Sequence, residues 1–105
     1  MTTLIVLFRL KPGVDPKTYE AWAQQTDLPI VRKLGSVSDF QLRRVTGLFG
    51  TDEKAPYDYV EMIDVTDMTG FVADVSTEVM AGVAAQFREF ADNPTFMLSD
   101  NVEQG

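Results

Sequence analysis

Apolar and polar residues follow two different periods along the chain, and the changes between these periods mark segments of secondary structure. Residues 3–10 (TLIVLFRL) are rich in β-branched and aromatic residues and are apolar on both alternating sets, which is typical of a strand covered on both faces. Residues 39–49 and 57–65 also alternate, and the turn-rich residues 50–56 between them predict an antiparallel hairpin. Residues 95–102 predict a fourth strand.

Two other segments repeat apolar residues every three to four positions, which is the period of a helix buried on one side. Asp15, followed by a proline, is a suitable N-cap for the first helix. Pro29 disfavours the helical conformation of the residue before it, so we expect this helix to break near Asp27 and to resume as a short second turn. Residues 67–92 predict an amphipathic helix, with an interruption near Ser76.

The resulting order is β-α-β-β-α-β over residues 1–105, which we interpret as a single α+β domain. This order is typical of the ferredoxin-like fold, a four-stranded antiparallel sheet with both helices on one face. Both alternating sets of the first strand are apolar, so the face without helices would expose a larger patch than monomers usually tolerate. We therefore expect a homodimer in which two sheets pack face to face about a two-fold axis.

The charge of the chain limits its classes of partner. Sixteen acidic and nine basic residues give a net charge of -7, which repels phosphate backbones and anionic lipid. No stretch approaches the roughly 20 apolar residues needed to span a bilayer. The first residues lack the basic region and cleavage site of a secretory signal. We expect no nucleic-acid partner, no membrane partner and a cytoplasmic location.

The sequence contains no cysteine and no histidine. Their absence excludes disulfides, thiolate nucleophiles, zinc sites built from Cys and His, histidine-ligated haem and the Ser-His-Asp triad. No acidic stretch has the ligand spacing of a calcium loop. We therefore expect no metal site and no cofactor.

Residues 19–40 (YEAWAQQTDLPIVRKLGSVSDF) resemble the helix-one signature of the EthD-like branch of the dimeric α+β barrel superfamily. That signature has an aromatic residue and a tryptophan, then His-x-Pro-Leu, a basic/Leu turn and Pro-Gly-Leu. The matching residues are Tyr19, Trp22, Pro29, Ile30, Arg32, Lys33 and Leu34. The chain departs from the signature at Asp27, which replaces the histidine, and at residues 35–37, which replace Pro-Gly-Leu.

Over nearly its whole length the chain is similar to the HapK/RedY-like group, small proteins encoded among enzymes that build prodiginine-type tripyrroles and related bacterial metabolites. The resemblance implies a homodimer of ferredoxin-like subunits, with a small-molecule pocket in each subunit between the helices and the concave sheet. The superfamily contains monooxygenases, isomerases, dehydratases and non-catalytic members, so the shared fold leaves the reaction open.

Asp27 is the candidate catalytic residue. If its carboxyl group projects into the pocket between helices and sheet, burial raises its pKa above the usual value of about 3.9 and suits it to act as a general acid or base. The alternative is that the carboxylate caps the helical turn that begins at Pro29. The two roles are compatible, since a capping group can still be reached by substrate.

Arg44 is a candidate substrate-binding residue. It shares a strand face with an apolar set that includes Leu48, so we expect it to be half-buried, whereas its neighbour Arg43 points to the opposite face. It can neutralise negative charge on the substrate, or it can form a structural ion pair with Glu61 or Asp64 on the neighbouring strand.

Trp22 and Tyr59 are the other candidate substrate contacts. Trp22 offers a flat apolar wall and one hydrogen-bond donor, although a lone tryptophan on an amphipathic helix more often belongs to the core. Tyr59 can present its hydroxyl to the substrate or be an ordinary aromatic of the interface, and its strand face includes Glu61.

The hypothesis drawn from these residues is a cofactor-independent enzyme of secondary metabolism. It acts on an aromatic, pyrrolic or polyketide-like intermediate by acid/base cyclisation, isomerisation or dehydration, with Asp27 moving the proton. One alternative is a cofactorless monooxygenase, and another is a non-catalytic dimer that binds a pathway intermediate or a biosynthetic enzyme.

Overall fold

Strands and helices follow one another in the predicted order in a computed structural model that describes residues 1–104; Gly105 lies outside the described residues. The strands are β1 (Thr2–Leu10), β2 (Val37–Arg44), β3 (Tyr59–Val65) and β4 (Ala91–Asp100). The helices are α1 (Pro16–Trp22), α2 (Leu28–Arg32), α3 (Met68–Val75) and α4 (Glu78–Phe90), with a π-helical turn at Ala23–Asp27 and a 3-10 turn at Val102–Gln104.

The four strands form one antiparallel sheet in the order β2-β3-β1-β4. The first strand is therefore central, as its apolar residues on both faces predict. Val6 on β1 lies opposite Glu61 on β3 and opposite Phe96 on β4. This topology confirms the ferredoxin-like α+β fold.

Side-chain caps define where two of the helices begin. The Asp15 carboxylate accepts a hydrogen bond from the backbone N–H of Lys17 at 2.9 Å, as the N-cap prediction requires. The expected interruption near Ser76 is confirmed, because α3 ends at Val75 and Thr77 caps α4.

The expected break of the first helix near Asp27 is confirmed in part: the regular α-helix ends at Trp22 and the short helix α2 follows, but the backbone between them stays helical. A π-helical turn joins α1 to α2, and the backbone N–H of Leu28 donates to the carbonyl of Ala23, five residues earlier. Pro29 has no N–H to donate and its ring disfavours a regular α-helical turn before it, so the wider turn lets the chain stay helical through the proline.

The π-helical turn also keeps one row of side chains against the sheet. Tyr19, Ala23, Asp27 and Val31 are spaced four residues apart, and all four are buried. In a regular α-helix such a row rotates by about 40° at each step. The larger number of residues in a π-helical turn offsets this rotation, and Asp27 therefore faces the sheet.

The largest differences from the predicted strand boundaries are at the end of β2 and the start of β4. The second strand ends at Arg44, so Leu48 lies in the following loop and shares no strand face with Arg44. The fourth strand begins at Ala91, directly after α4, rather than at residue 95. Asn93 has a positive φ of 49°, and the register with β1 shifts in the same region, which marks an irregular start of the strand.

The core is a single apolar layer between the helices and the sheet. Its residues form two adjoining groups, and Leu4 and Trp22 contact both. The first group is Val6, Phe8, Tyr19, Ala23, Tyr59, Phe87 and Ala91, and the second is Val31, Val37, Phe40, Ile63, Val65, Met80 and Val83. The Phe8 ring stacks on Tyr59 at 5.5 Å and meets Phe87 edge to face at 5.0 Å.

Replacing Phe8 with Ala should destabilise the protein by about 3–5 kcal/mol, because it removes the ring at the centre of the aromatic group and leaves a cavity. Phe49→Ala is the matched control, since Phe49 is fully exposed and its loss should change the free energy of unfolding by no more than about 0.5 kcal/mol. Urea denaturation measures both values. Equal effects of the two substitutions would contradict this description of the core.

Candidate functional site

A cavity of about 390 Å³ lies between the helices and the sheet. Most of its wall is apolar and includes Val31, Phe40, Ile63, Phe71, Met80 and Val83. Two carboxyl groups, from Asp27 and Glu61, also line it, and Arg88 lines it from α4 with an exposed side chain. The pocket expected between helices and sheet is therefore present, and its buried polar lining is acidic.

Asp27 contributes the last residue of the π-helical turn to this wall. Only 6% of the residue is exposed, and its side chain makes no capping hydrogen bond to α2. The capping alternative is therefore wrong. Burial raises the pKa of the Asp27 carboxyl to about 6, because the apolar surroundings disfavour its charged form.

Glu61 faces the same cavity from the middle of β3. It is 5% exposed, and its Oε2 atom has no hydrogen-bond partner. Burial, and secondarily the negative charge of Asp27, raise the pKa of the Glu61 carboxyl to about 8.

The two carboxyl groups hold different protonation states near neutral pH. With pKa values of about 6 and about 8, Asp27 is mainly ionised and Glu61 is mainly protonated at pH 7. A carboxylate can accept a proton and a carboxylic acid can donate one, so the pair provides a base and an acid in one apolar cavity.

Tyr19 lies beside this pair and is fully buried. Its hydroxyl, like the Glu61 Oε2 atom, has no hydrogen-bond partner within the described residues. Burial, followed by the negative charges of Glu61 and Asp27, raises the pKa of the Tyr19 hydroxyl well above its usual value. The hydroxyl therefore keeps its proton and remains a hydrogen-bond donor.

Trp22 packs between the two core groups and is half-buried. Its indole N–H donates to Oε1 of Gln86 on α4 at 2.6 Å, and the residue does not line the cavity that contains Asp27. In this structure Trp22 links α1 to α4.

Arg44 and Tyr59 meet at a second, shallower groove, which is also lined by Glu20, Leu28 and other residues. The Tyr59 hydroxyl donates to Oε2 of Glu20 at 2.7 Å, and Arg44 Nε donates to the same oxygen at 2.7 Å. A second guanidinium nitrogen, Nη2, pairs with Oε1 of Glu20. The hydrogen bonds from Arg44, and secondarily the one from Tyr59, lower the pKa of Glu20 to about 2.

The expectation of a half-buried Arg44 paired with Glu61 or Asp64 is wrong. The side chain of Arg44 is 64% exposed and pairs with Glu20. The strand ends at Arg44, so its long side chain can leave the sheet and reach across to α1. Arg43 is exposed as well, so neither arginine of β2 is buried.

Sequence reasoning missed Glu61 and Tyr19 as members of the site. The signal for Glu61 was a carboxylate in the alternating set of β3 that otherwise contains Tyr59, Ile63 and Val65. A charged residue in a buried strand set requires a partner or a raised pKa. Tyr19 gave no comparable signal, because a buried tyrosine is usually satisfied by a hydrogen bond that the sequence does not show.

Two further kinds of site were sought in residues 1–104. No group of three or more acidic, histidine or cysteine side chains is placed to hold a metal ion. In the same part of the chain, every helix is too short or too polar to cross a membrane.

Comparison with known proteins identifies one family and several similar structures. Residues 2–102 match the family model described as REDY-like protein HapK. The crystal structure of HapK from Hahella chejuensis is similar with a TM-score of 0.80 and 30% identity, over 100% of this chain and 96% of that chain. No curated protein sequence matches the chain.

Two more distant structures share the fold. An EthD family protein from Bacillus halodurans gives a TM-score of 0.75 at 19% identity, covering 97% of this chain and 99% of that chain. SnoaB, a cofactor-independent oxygenase from Streptomyces nogalater, gives a TM-score of 0.76 at 16% identity, covering 96% of this chain and 92% of that chain. These likenesses confirm the ferredoxin-like α+β fold inferred from the order of strands and helices.

The raised pKa of Glu61 predicts how stability depends on pH. Its usual pKa is 4.5 and its folded value is about 8, so between these values the unfolded chain releases a proton that the folded protein keeps. The free energy of unfolding should therefore fall as pH rises from about 5 to 8, with Asp27 adding to the loss below pH 6.

Glu61→Gln should flatten this pH dependence between pH 6 and 8 and make the variant more stable than wild type by a few kcal/mol at pH 9, because glutamine cannot ionise. Glu89→Gln, which changes an exposed carboxylate on α4, should follow the wild-type curve. Urea denaturation from pH 5 to 9 provides the test. Parallel curves for Glu61→Gln and wild type would show that Glu61 ionises normally.

Proposed function

Because this chain belongs to the REDY-like HapK family, we propose that it is a cofactor-independent enzyme that acts by acid/base chemistry on an aromatic, pyrrolic or polyketide-like intermediate of secondary metabolism. The proposed reaction class is cyclisation, isomerisation or dehydration. The observation that carries this proposal is that Asp27 and Glu61 are both buried in the wall of one mainly apolar cavity, where burial raises the pKa of each.

In the proposed reaction, the Asp27 carboxylate takes a proton from the substrate and the Glu61 carboxylic acid gives one to it. The receiving atom is an oxygen that gains negative charge, such as an enolate oxygen or a departing hydroxyl group. One proton enters the pair and one leaves it, so the charge of the cavity does not change. Each transfer can contribute about 10²- to 10⁴-fold in rate.

The apolar wall supports this chemistry in two ways. Phe40, Ile63 and Phe71 line the cavity, so an aromatic or polyketide-like substrate can bury its apolar surface there. It also keeps the effective dielectric low, which holds the pKa values of the two carboxyl groups close to neutral pH.

Trp22, Arg44 and Tyr59 take no part in proton transfer in this proposal. The donors of Trp22 and Tyr59 are bound to Gln86 and Glu20, and Arg44 is neutralised by Glu20. Arg44 and Tyr59 remain proposed substrate contacts only for a molecule that reaches the groove beside α1. Trp22 lines neither that groove nor the cavity, and it remains a proposed contact only for a substrate that displaces Gln86 from its indole N–H.

Asp27→Asn and Glu61→Gln should each reduce turnover by at least about 10²-fold, because each removes one proton-transfer group and retains the side-chain size. Glu53→Gln, in the exposed loop between β2 and β3, is the control and should keep wild-type turnover. Candidate aromatic, pyrrolic and polyketide-like intermediates are incubated with each protein and analysed by mass spectrometry, while dioxygen uptake is recorded.

The mass of the product distinguishes the proposal from its alternatives. An isomeric product, or one that has lost water, supports acid/base catalysis. A product with an added oxygen atom and matching dioxygen uptake would instead indicate a cofactorless oxygenase, the activity named for SnoaB. Tight binding of a candidate without conversion would favour a non-catalytic binding protein.

We also propose that the protein is a homodimer formed through the sheet face opposite the helices. Ile5 and Leu7 of β1 project to this face, and across the strands they lie opposite Met62, Val60 and Met97. These side chains form a continuous apolar surface on strands whose other face packs against the helices. A second sheet of the same shape can cover it.

The protein should have a mass of about 23 kDa in solution, twice the 11.7 kDa of the chain. Leu7→Lys should shift it to the monomer, because it places a charge at the centre of the proposed interface. Val79→Lys, on an exposed position of α4, is the control and should leave the mass unchanged. Light scattering coupled to size-exclusion chromatography measures all three, and a monomeric wild type would contradict the interface.

A further inference from the structure

Two polar atoms in the layer between helices and sheet are buried without a hydrogen-bond partner. They are the hydroxyl of Tyr19 and the Oε2 atom of Glu61. Most buried polar groups in native proteins are satisfied, and an unsatisfied one costs about 1–3 kcal/mol. Both atoms are therefore available for a further hydrogen bond.

The fold places these two atoms in the same part of the layer. Tyr19 begins the buried row that ends at Asp27 and Val31 on the helix side. Its ring centroid lies 4.9 Å from that of Tyr59, which precedes Glu61 by two residues on the same face of β3. The buried helix residues Tyr19 and Asp27 and the buried strand residue Glu61 therefore belong to one part of the layer, where the negative charges of Glu61 and Asp27 act on the Tyr19 hydroxyl.

We propose that Tyr19 is a positioning residue for Glu61: its hydroxyl donates a hydrogen bond to the Glu61 carboxylate once Glu61 has transferred its proton to the substrate. The inference rests on the proposed function and deepens it. Tyr19 keeps its own O–H bond throughout, the Glu61 proton goes to a substrate oxygen, and the proton removed from the substrate resides on Asp27.

The physical reason for this role is that Glu61 requires a hydrogen-bond donor only after it has lost its proton. As a neutral acid, Glu61 carries little charge on Oε2, and the vacant contact is tolerated. As a carboxylate in an apolar layer it needs a donor, and a hydrogen bond to an ionised group is stronger than one between neutral groups. While Glu61 is neutral, the hydroxyl and Oε2 are not in hydrogen-bonding geometry, so the Glu61 side chain has to turn towards the Tyr19 ring, which Phe8, Trp22 and Phe90 hold in place.

The other groups around Glu61 are apolar, acidic, already hydrogen-bonded or exposed, so Tyr19 is the candidate donor. Its cross-strand neighbours on β1 and β2, Val6 and Leu42, are apolar. The π-helical turn presents Asp27, which is itself an acid, and Glu20 of α1 holds the hydroxyl of Tyr59. The remaining charged group that lines the cavity is Arg88 of α4, which is exposed and whose charge is the same in every variant compared below.

Carbon-13 NMR titration of glutamate side chains tests the proposal on the protein alone, without any ligand. The Glu61 carboxyl resonance is assigned as the one missing from Glu61→Gln, and its pKa is measured in wild type and in Tyr19→Phe. Loss of the hydroxyl should raise the pKa of Glu61 by about one to two pH units, because the carboxylate loses the donor that stabilises it.

Tyr59→Phe is the matched control, since it removes a neighbouring hydroxyl that is already bound to Glu20. It should raise the pKa of Glu20 and leave that of Glu61 unchanged. Thermal unfolding at pH 5, where Glu61 is protonated in all three proteins, should give Tyr19→Phe at least wild-type stability, since the hydroxyl it removes is unsatisfied in that state.

The outcomes separate this inference from the proposed function. If the Glu61 pKa is the same in Tyr19→Phe and wild type, Tyr19 has only a packing role and the inference is wrong, whatever Asp27→Asn does to turnover. If the Glu61 pKa rises but Glu61→Gln retains full turnover, the hydrogen bond exists and the proposed function is wrong. A rise in pKa together with loss of turnover in Glu61→Gln supports both.

Discussion

Burial of two carboxyl groups in a layer of apolar side chains is the constraint on which the site depends. Two charges of the same sign in such a layer would be costly, so Asp27 and Glu61 cannot both ionise readily. The site is stable when one proton remains on the pair, and burial together with the negative charge of Asp27 places that proton on Glu61. The different pKa values of the two carboxyl groups are thus consequences of packing.

The π-helical turn is what brings Asp27 into this layer. Without it, a row of residues spaced by four would rotate away from the sheet before reaching Asp27. The same turn accommodates Pro29, whose ring and missing N–H are incompatible with a regular helix interior. One local irregularity therefore continues the helix through a proline and turns a carboxyl group towards the cavity, and such turns are common at functional sites in other proteins.

Features fixed by neighbouring residues could be predicted from the sequence, and features fixed by distant contacts could not. The alternation of β3 and the Asp15 cap are local, and both were confirmed. The rule that disfavours a helical conformation before Pro29 is local as well, but Leu28 is helical, because packing of the row from Tyr19 to Val31 against the sheet overrode the rule. The pairing of Arg44 with Glu20 depends on where β2 ends and how α1 crosses the sheet, which no spacing in the sequence shows.

The position of Arg44 bears directly on the chemistry of the cavity. Had Arg44 paired with Glu61, as strand neighbours suggest, its positive charge would have lowered the pKa of that carboxyl and left a carboxylate at neutral pH. Glu20 instead holds the guanidinium at the surface, together with the Tyr59 hydroxyl. An exposed ion pair contributes little to stability. Its consequence here is that Arg44 is engaged outside the cavity and does not lower the pKa of Glu61, and the proposed role of Glu61 as an acid requires that raised pKa.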